Sequence, residues 1–124
     1  MPKGLSSERI DCPCPLDPRF PPEVQFDLLV EGSSLDKLAR QGDLIRCVDI
    51  ERSRVRIENG DIVVIERSRG EALELLGKRV LKQCDQVELW SESNHEFWRE
   101  PVIRKDQDSG IRIVAKVLYA YRKR

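Results

Sequence analysis

Glu71-Ala72-Leu73-Glu74-Leu75-Leu76-Gly77-Lys78-Arg79-Val80-Leu81 can be read in two ways, and the choice sets the fold. As a helix, it places Leu73, Leu76, Gly77 and Val80 on one stripe. As a strand, it places Ala72, Glu74, Leu76, Lys78 and Val80 on one face. Gly77 falls in mid-element, where glycine costs a helix about 1 kcal/mol relative to alanine. The neighbouring runs at 62–65 and 87–90 carry strand signals and lie close enough for hairpins. The stretch is therefore read as a strand, which gives Lys78 the apolar same-face neighbours Leu76 and Val80.

Strand patterns recur on both sides of it. Ile62-Val63-Val64-Ile65 is a continuous apolar run suited to a strand buried on both faces. It is preceded by Glu58-Asn59-Gly60-Asp61, a tight-turn signal, and followed by a turn at Ser68-Arg69-Gly70. Val24, Phe26, Leu28 and Val30 alternate with Gln25 and Asp27, predicting a strand over 24–30. Leu44 to Ile50 predicts another, with Ile45 and Cys47 on one side and Leu44, Val48 and Ile50 on the other. Val87 to Trp90 is short. Ile111, Ile113, Ala115, Val117, Tyr119 and Tyr121 make the cleanest alternation and predict one well-buried face. Arg52 to Arg56 is charged and expected to be exposed, and Phe97, Trp98 and Pro101 are expected to fold back onto the core. Six to eight strands with almost no helix imply a mostly β fold, a rolled sheet. Residues 1–22, with Pro13, Pro15, Pro18, Pro21 and Pro22, form an extended proline-rich arm, and 23–124 form a single domain.

The chain has 124 residues, 22 basic and 22 acidic, so its formal net charge is zero. Without a basic excess no direct nucleic-acid binding is expected of it. No apolar run approaches a membrane span and no signal-peptide core opens the sequence, so no membrane association is expected. Cys12, Cys14, Cys47 and Cys84 lack the paired spacing of a zinc site, alone or with His95. They are read as reduced thiols of a cytoplasmic protein, with no metal and no cofactor.

The chemistry-bearing stretch is Val30-Glu31-Gly32-Ser33-Ser34-Leu35, closed by Gln41-Gly42-Asp43. A serine at a strand end beside glycine can project its hydroxyl next to backbone N–H groups able to hold an oxyanion. The same residues also suit a turn in which Ser33 or Ser34 caps the helix-prone piece 36–40. A serine nucleophile needs a base. His95, the only histidine, sits in a polar loop beside Glu96; lysine is the alternative once burial lowers its pKa. Lys78 has the most apolar setting, while Lys37 and Lys82 lie in polar ones. A solvated edge-strand charge is the other reading of Lys78.

Taken in order, these motifs resemble the LexA-type self-cleaving serine peptidases, which include UmuD and phage-repressor C-terminal domains. Val30 to Leu35 resembles their V-x-G-x-S-M motif, with Leu35 in place of methionine. Gln41-Gly42-Asp43 resembles the G-D that follows, and Asn59 to Val64 the G-D-I/V-V-V strand. Gly77-Lys78-Arg79-Val80 resembles the V-K-R-L strand, and Val87 to Asn94 the V-x-L-x-P-x-N segment. The resemblance covers residues 24–121. It implies a LexA-like C-terminal peptidase fold of largely antiparallel strands, with Ser34 as nucleophile, Lys78 as general base and the turn at Gly32, Ser34 and Leu35 as oxyanion site.

The activity so implied is that of an autoproteolytic serine endopeptidase acting on a peptide in cis or trans. Such domains process a repressor or mutagenesis protein in the DNA-damage (SOS) or prophage response. A homodimer is implied, with a recombinase filament or a DNA polymerase as further partners. The alternative is a non-cleaving dimerisation module like processed UmuD. Family members cut an Ala-Gly or Cys-Gly bond about three dozen residues before the serine. Residues 1–33 contain neither pair. The chain is thus expected to correspond to the fragment left after such a cut, without the helix-turn-helix half of a repressor.

Overall fold

The computed structural model describes residues 5, 9–10, 15–31, 35, 37–69, 72–83, 86–91, 102–105 and 111–122. The ambiguous stretch is a strand. β1 spans Gln25–Leu29, β2 Leu44–Asp49, β3 Ile62–Arg69 and β4 Ala72–Gln83. β5 spans Gln86–Trp90, β6 Val102–Lys105 and β7 Ile111–Tyr121. All are neighbours in one antiparallel sheet of order β1-β2-β7-β3-β4-β5-β6. The mostly β expectation holds, and among the described residues no helix is long and apolar enough to cross a membrane.

The sheet rolls until β1 nears β4, and Leu5 closes the gap with bridges to Val30 and Leu75. The inner face carries the larger core, Phe26, Leu28, Val30, Leu35, Ile45, Cys47, Val64, Ala115 and Val117. A smaller cluster of Val63, Ile65, Leu76, Val80 and Leu89 lies on the other face. Val63, Val64 and Ile65 are all fully buried, so the run in β3 is covered on both sides as its composition required.

β7 departs from the single face expected of it. Arg46 pairs with Tyr119 but Cys47 with Val117, skipping Leu118; Val64 pairs with Ala115 but Ile65 with Ile113, skipping Val114. Each extra residue reverses which side the following residues face. Ile111 and Ile113 therefore join the smaller cluster, and Ala115 and Val117 the larger one. Tyr119 lies on the side of Arg46. Only Ala115 and Val117 of this strand are buried.

The polar side of β1 is also not solvated. Asp27 and Arg46, directly opposite in β1 and β2, form an ion pair of 2.5 Å with both side chains fully buried. Arg46 reaches the Pro15 carbonyl at 3.1 Å and the Tyr119 hydroxyl at 3.2 Å, and Tyr121 donates to Asp27. Gln25 accepts from the Asp17 N–H at 2.9 Å and donates to the Asp17 carbonyl at 2.7 Å. The proline-rich arm is thus strapped over this face by side chains that mimic a strand partner.

Several boundaries differ from the sequence reading, among them the turn expected at Ser68-Arg69-Gly70, where Ser68 and Arg69 instead continue β3 opposite Leu73 and Ala72. Val24 belongs to a 3-10 turn, Pro22–Val24. Ile50 opens a short helix, α1 (Ile50–Ser53), capped by Asp49, whose carboxylate accepts from the Arg52 N–H at 3.0 Å. Arg54 ends it in the left-handed region, φ 56°. Period-two hydrophobicity ran on to Ile50, but the aspartate cap stops the strand one residue earlier. Phe97, Trp98 and Pro101 lie outside the described residues.

Candidate active site

Two turns of the same build hold the strands that matter. In Arg40-Gln41-Gly42-Asp43 the Asp43 N–H donates to the Arg40 carbonyl at 2.9 Å, and the Asp43 carboxylate accepts from the Arg40 N–H at 2.8 Å. Glu58-Asn59-Gly60-Asp61 repeats this at 3.1 and 2.7 Å. Gly42 and Gly60 both have φ 93°, the value a type II turn requires at its third residue and one that disfavours any side chain there. Asn59 keeps negative φ, so this Asn-Gly pair is not the type I′ hairpin turn, which needs positive φ at both central residues.

Each turn grips a valine by both backbone groups. Gly42 donates to the Val30 carbonyl at 2.8 Å while the Val30 N–H donates to Asp43 at 2.9 Å. Gly60 donates to the Val80 carbonyl at 2.7 Å while the Val80 N–H donates to Asp61 at 2.8 Å. Val30 ends the approach to Ser34, and Val80 lies two residues beyond Lys78. The Gly-Asp pairs are thus structural clamps on the two candidate segments.

Leu35 connects them. It is fully buried, and its side chain packs so closely on Gly77 that a Cβ there would lie 2.6 Å from Leu35 Cγ. The residue after Ser34 therefore touches the residue before Lys78. Gly32, Ser33 and Ser34, the remainder of the predicted turn, lie outside the described residues, as does His95. The one-turn piece after Leu35, with Leu38 and Ala39 N–H groups on the Leu35 carbonyl, is what remains of the helix-prone segment.

Lys78 leaves β4 on the side of Leu76 and Val80, as the alternation predicted, and is only 1% exposed. The solvated-charge reading is excluded. Its Nζ donates to Ser91 Oγ at 2.6 Å. Ser91 immediately follows β5 and lies opposite Lys78, one step beyond the Arg79–Trp90 pair. Burial is the main cause that lowers the Lys78 pKa to about 8, and the Arg67 cation adds to it. Glu74, which bridges Arg67 at 2.7 Å on the same face, opposes the shift. A lysine with pKa near 8 has an accessible neutral form at neutral pH, which general-base chemistry needs. Among the described residues no group of His, Cys, Asp and Glu could hold a metal.

The sequence matches the family model described as Peptidase S24-like over residues 4–118. The chain belongs to this family. It is the family of LexA, UmuD and phage-repressor C-terminal peptidase domains, as the ordered motifs implied. No curated protein matches the sequence at a significant level. Within the Peptidase S24-like match, sequence reasoning missed Ser91, which stands where the resembling segment has proline. Its only signal is register: a serine one step past the residue that faces Arg79 must face Lys78.

Proposed function

We propose that this chain is a serine endopeptidase in which Ser34 is the nucleophile and Lys78 the general base. The observation that carries the proposal is the buried Lys78 amine, held by Ser91 with its pKa lowered to about 8. The Leu35–Gly77 contact supports it, because it keeps the serine-bearing and lysine-bearing segments together.

Neutral Lys78 takes the Ser34 hydroxyl proton as the oxygen attacks a peptide carbonyl. The tetrahedral oxyanion collapses to an acyl-enzyme, and the Lys78 ammonium passes the proton to the leaving amine. Water, deprotonated by the same amine, then attacks the ester and restores Ser34. No metal or cofactor enters the scheme. The biological setting we infer is the processing of a repressor or mutagenesis protein, as in other Peptidase S24-like chains.

A serine-directed phosphonate tests the chemistry. Wild type should be labelled at Ser34, and a peptide carrying an Ala-Gly bond should be cut. Ser34→Ala should lose both. Lys78→Ala and Lys78→Arg should lose nearly all cleavage, since a guanidinium stays protonated at every usable pH. His95→Ala should stay within a few-fold of wild type. Full cleavage by Lys78→Ala would assign the proton to another base, and absence of labelling in wild type would favour the interaction-module alternative.

A further inference from the structure

The end of the rolled sheet marked by α1 holds a cavity of about 500 Å³. Phe26 and Leu28 of β1, Val64 of β3 and Leu75 of β4 form its apolar floor. Leu73 stands at its mouth, and at 61% it is the most exposed large hydrophobic side chain among the described residues. The Ser34 segment follows the other end of β1. Leu73 precedes Lys78 by five residues, about 16 Å along a strand, and alternation points Leu73 and Leu75 to the opposite face of β4 from Lys78. The cavity is therefore separate from the Ser34–Lys78 pair.

Its rim is charged. Arg9 lays its guanidinium 3.9 Å from the centre of the Phe26 ring and pairs with Asp49 at 3.3 Å. The other Asp49 oxygen accepts from the Arg52 N–H at 3.0 Å, so the helix cap fixes this carboxylate independently of Arg9. Arg112 pairs with Glu66 at 3.5 Å. Glu51, exposed in the first turn of α1, adds a third carboxylate. An aromatic face beside a fixed carboxylate is a seat for a planar cation, and Arg9 shows which head group fits it. The Arg9 side chain is 52% exposed. Such a pair is weak, and a competing cation can displace it.

We propose that this cavity binds a small amphiphile with an aliphatic body and one cationic head, best a guanidinium. The body lies over Leu28, Val64 and Leu75, and the head takes the place of Arg9 between Phe26 and Asp49. With Arg9 displaced, three carboxylates face Arg112 alone, so charge favours a cation and rejects a fatty acid. The volume lies in the range of small-molecule sites, which join an apolar lining to a few placed polar groups. The site goes beyond the peptidase reading and does not depend on it.

Calorimetry on the full chain tests this, with hexyl-, octyl- and decylguanidine as probes below their micelle concentrations. Affinity should rise about fourfold per added CH2 as the body covers the floor. Decanoate should bind about tenfold more weakly than decylguanidine, or worse, because its head meets carboxylates. Asp49→Asn keeps a capping side chain but removes the charge, and should weaken decylguanidine by about tenfold. Arg9→Ala should act the other way and tighten decylguanidine by about threefold, because it vacates the ring face.

Arg9 and Glu51 are exposed, so their variants keep the test open if Asp49→Asn does not fold. Glu51→Gln should weaken decylguanidine by about twofold and leave decanoate no weaker than in wild type. Equal binding of decanoate and decylguanidine overturns the proposal. So does an Arg9→Ala chain that binds decylguanidine no more tightly than wild type, or the absence of binding in both.

Discussion

Leu35 fills the space that a side chain at residue 77 would need, with its Cγ 2.6 Å and its Cδ2 2.9 Å from the position of a Cβ on Gly77. Both contacts are far inside van der Waals distance and involve a fully buried side chain. Gly77→Ala should therefore destabilise the fold by about 1–3 kcal/mol through overpacking. Leu35→Ala should cost about 2–5 kcal/mol through the cavity it leaves. The double variant should cost clearly less than the sum, because alanine at 35 makes room for the new Cβ. Urea unfolding of the four proteins checks this, and simple additivity contradicts the contact.

The Lys78 pKa fixes two pH dependences. Cleavage should rise as pH passes about 8 and then level off, following loss of one proton. Stability should change in the same range. The folded-state pKa is lowered from 10.5 to about 8, so between these values the unfolded chain binds more protons and stability rises with pH. Below about 8 the cost of burying the ammonium is fully present. Comparing urea midpoints of wild type and Lys78→Met at pH 7 and pH 10 isolates the effect. The wild type should gain on the variant at the higher pH, and a constant difference would contradict the burial.

Ser91 accepts a hydrogen bond from the Lys78 ammonium. Removing that acceptor in Ser91→Ala takes away a contact that favours the charged form, so the Lys78 pKa should fall further. The midpoint of the pH–rate profile should move to lower pH. The plateau rate should also drop, on the order of tenfold, because the amine loses its anchor. Ser91→Thr, which keeps a hydroxyl, should restore both. A midpoint that does not move would show that the hydroxyl has no hold on Lys78.

The buried Asp27–Arg46 pair should respond asymmetrically. Arg46→Met alone leaves Asp27 as an uncompensated buried carboxylate and should cost about 3–5 kcal/mol. Asp27→Leu combined with Arg46→Met should cost markedly less, since neither charge is then buried. Thermal unfolding of the single and double variants distinguishes them. A double variant worse than Arg46→Met would show that the pair itself, rather than its imbalance, stabilises the sheet.

We propose that the chain is a homodimer through the face near Tyr119, a large aromatic side chain that is 38% exposed near the end of β7. Sedimentation at tens of micromolar should show twice the chain mass, since an interface of about −7 kcal/mol is already assembled there. A monomer at that concentration contradicts the proposal.

Local pattern and turn chemistry were enough to find most strands. Residues 72–83 form a strand because Gly77 weakens the helical alternative and the strand signals at 62–65 and 87–90 lie within hairpin distance, all of which can be read along the chain. The Gly-Asp turns are equally local, since positive φ at Gly42 and Gly60 and a carboxylate one residue later need only neighbouring atoms. The buried setting of Lys78 follows from its alternation with Leu76 and Val80.

What lies across the sheet could not be read this way. Nothing near Gly77 in sequence says that Leu35 presses on it, and nothing near Lys78 names Ser91 as its partner. The alternation in 111–121 predicts one face, but two extra residues, Val114 and Leu118, turn it over twice, because β7 must match β2 and β3 at once. Alternation puts Gln25 and Asp27 opposite the apolar residues of their strand, and only the arm packed on them makes that face buried too. Most strands and turns are legible along the chain, because those choices are made among atoms a few residues apart. The tertiary structure decided which faces are buried and which groups meet Lys78, because desolvation and register depend on strands distant in the chain.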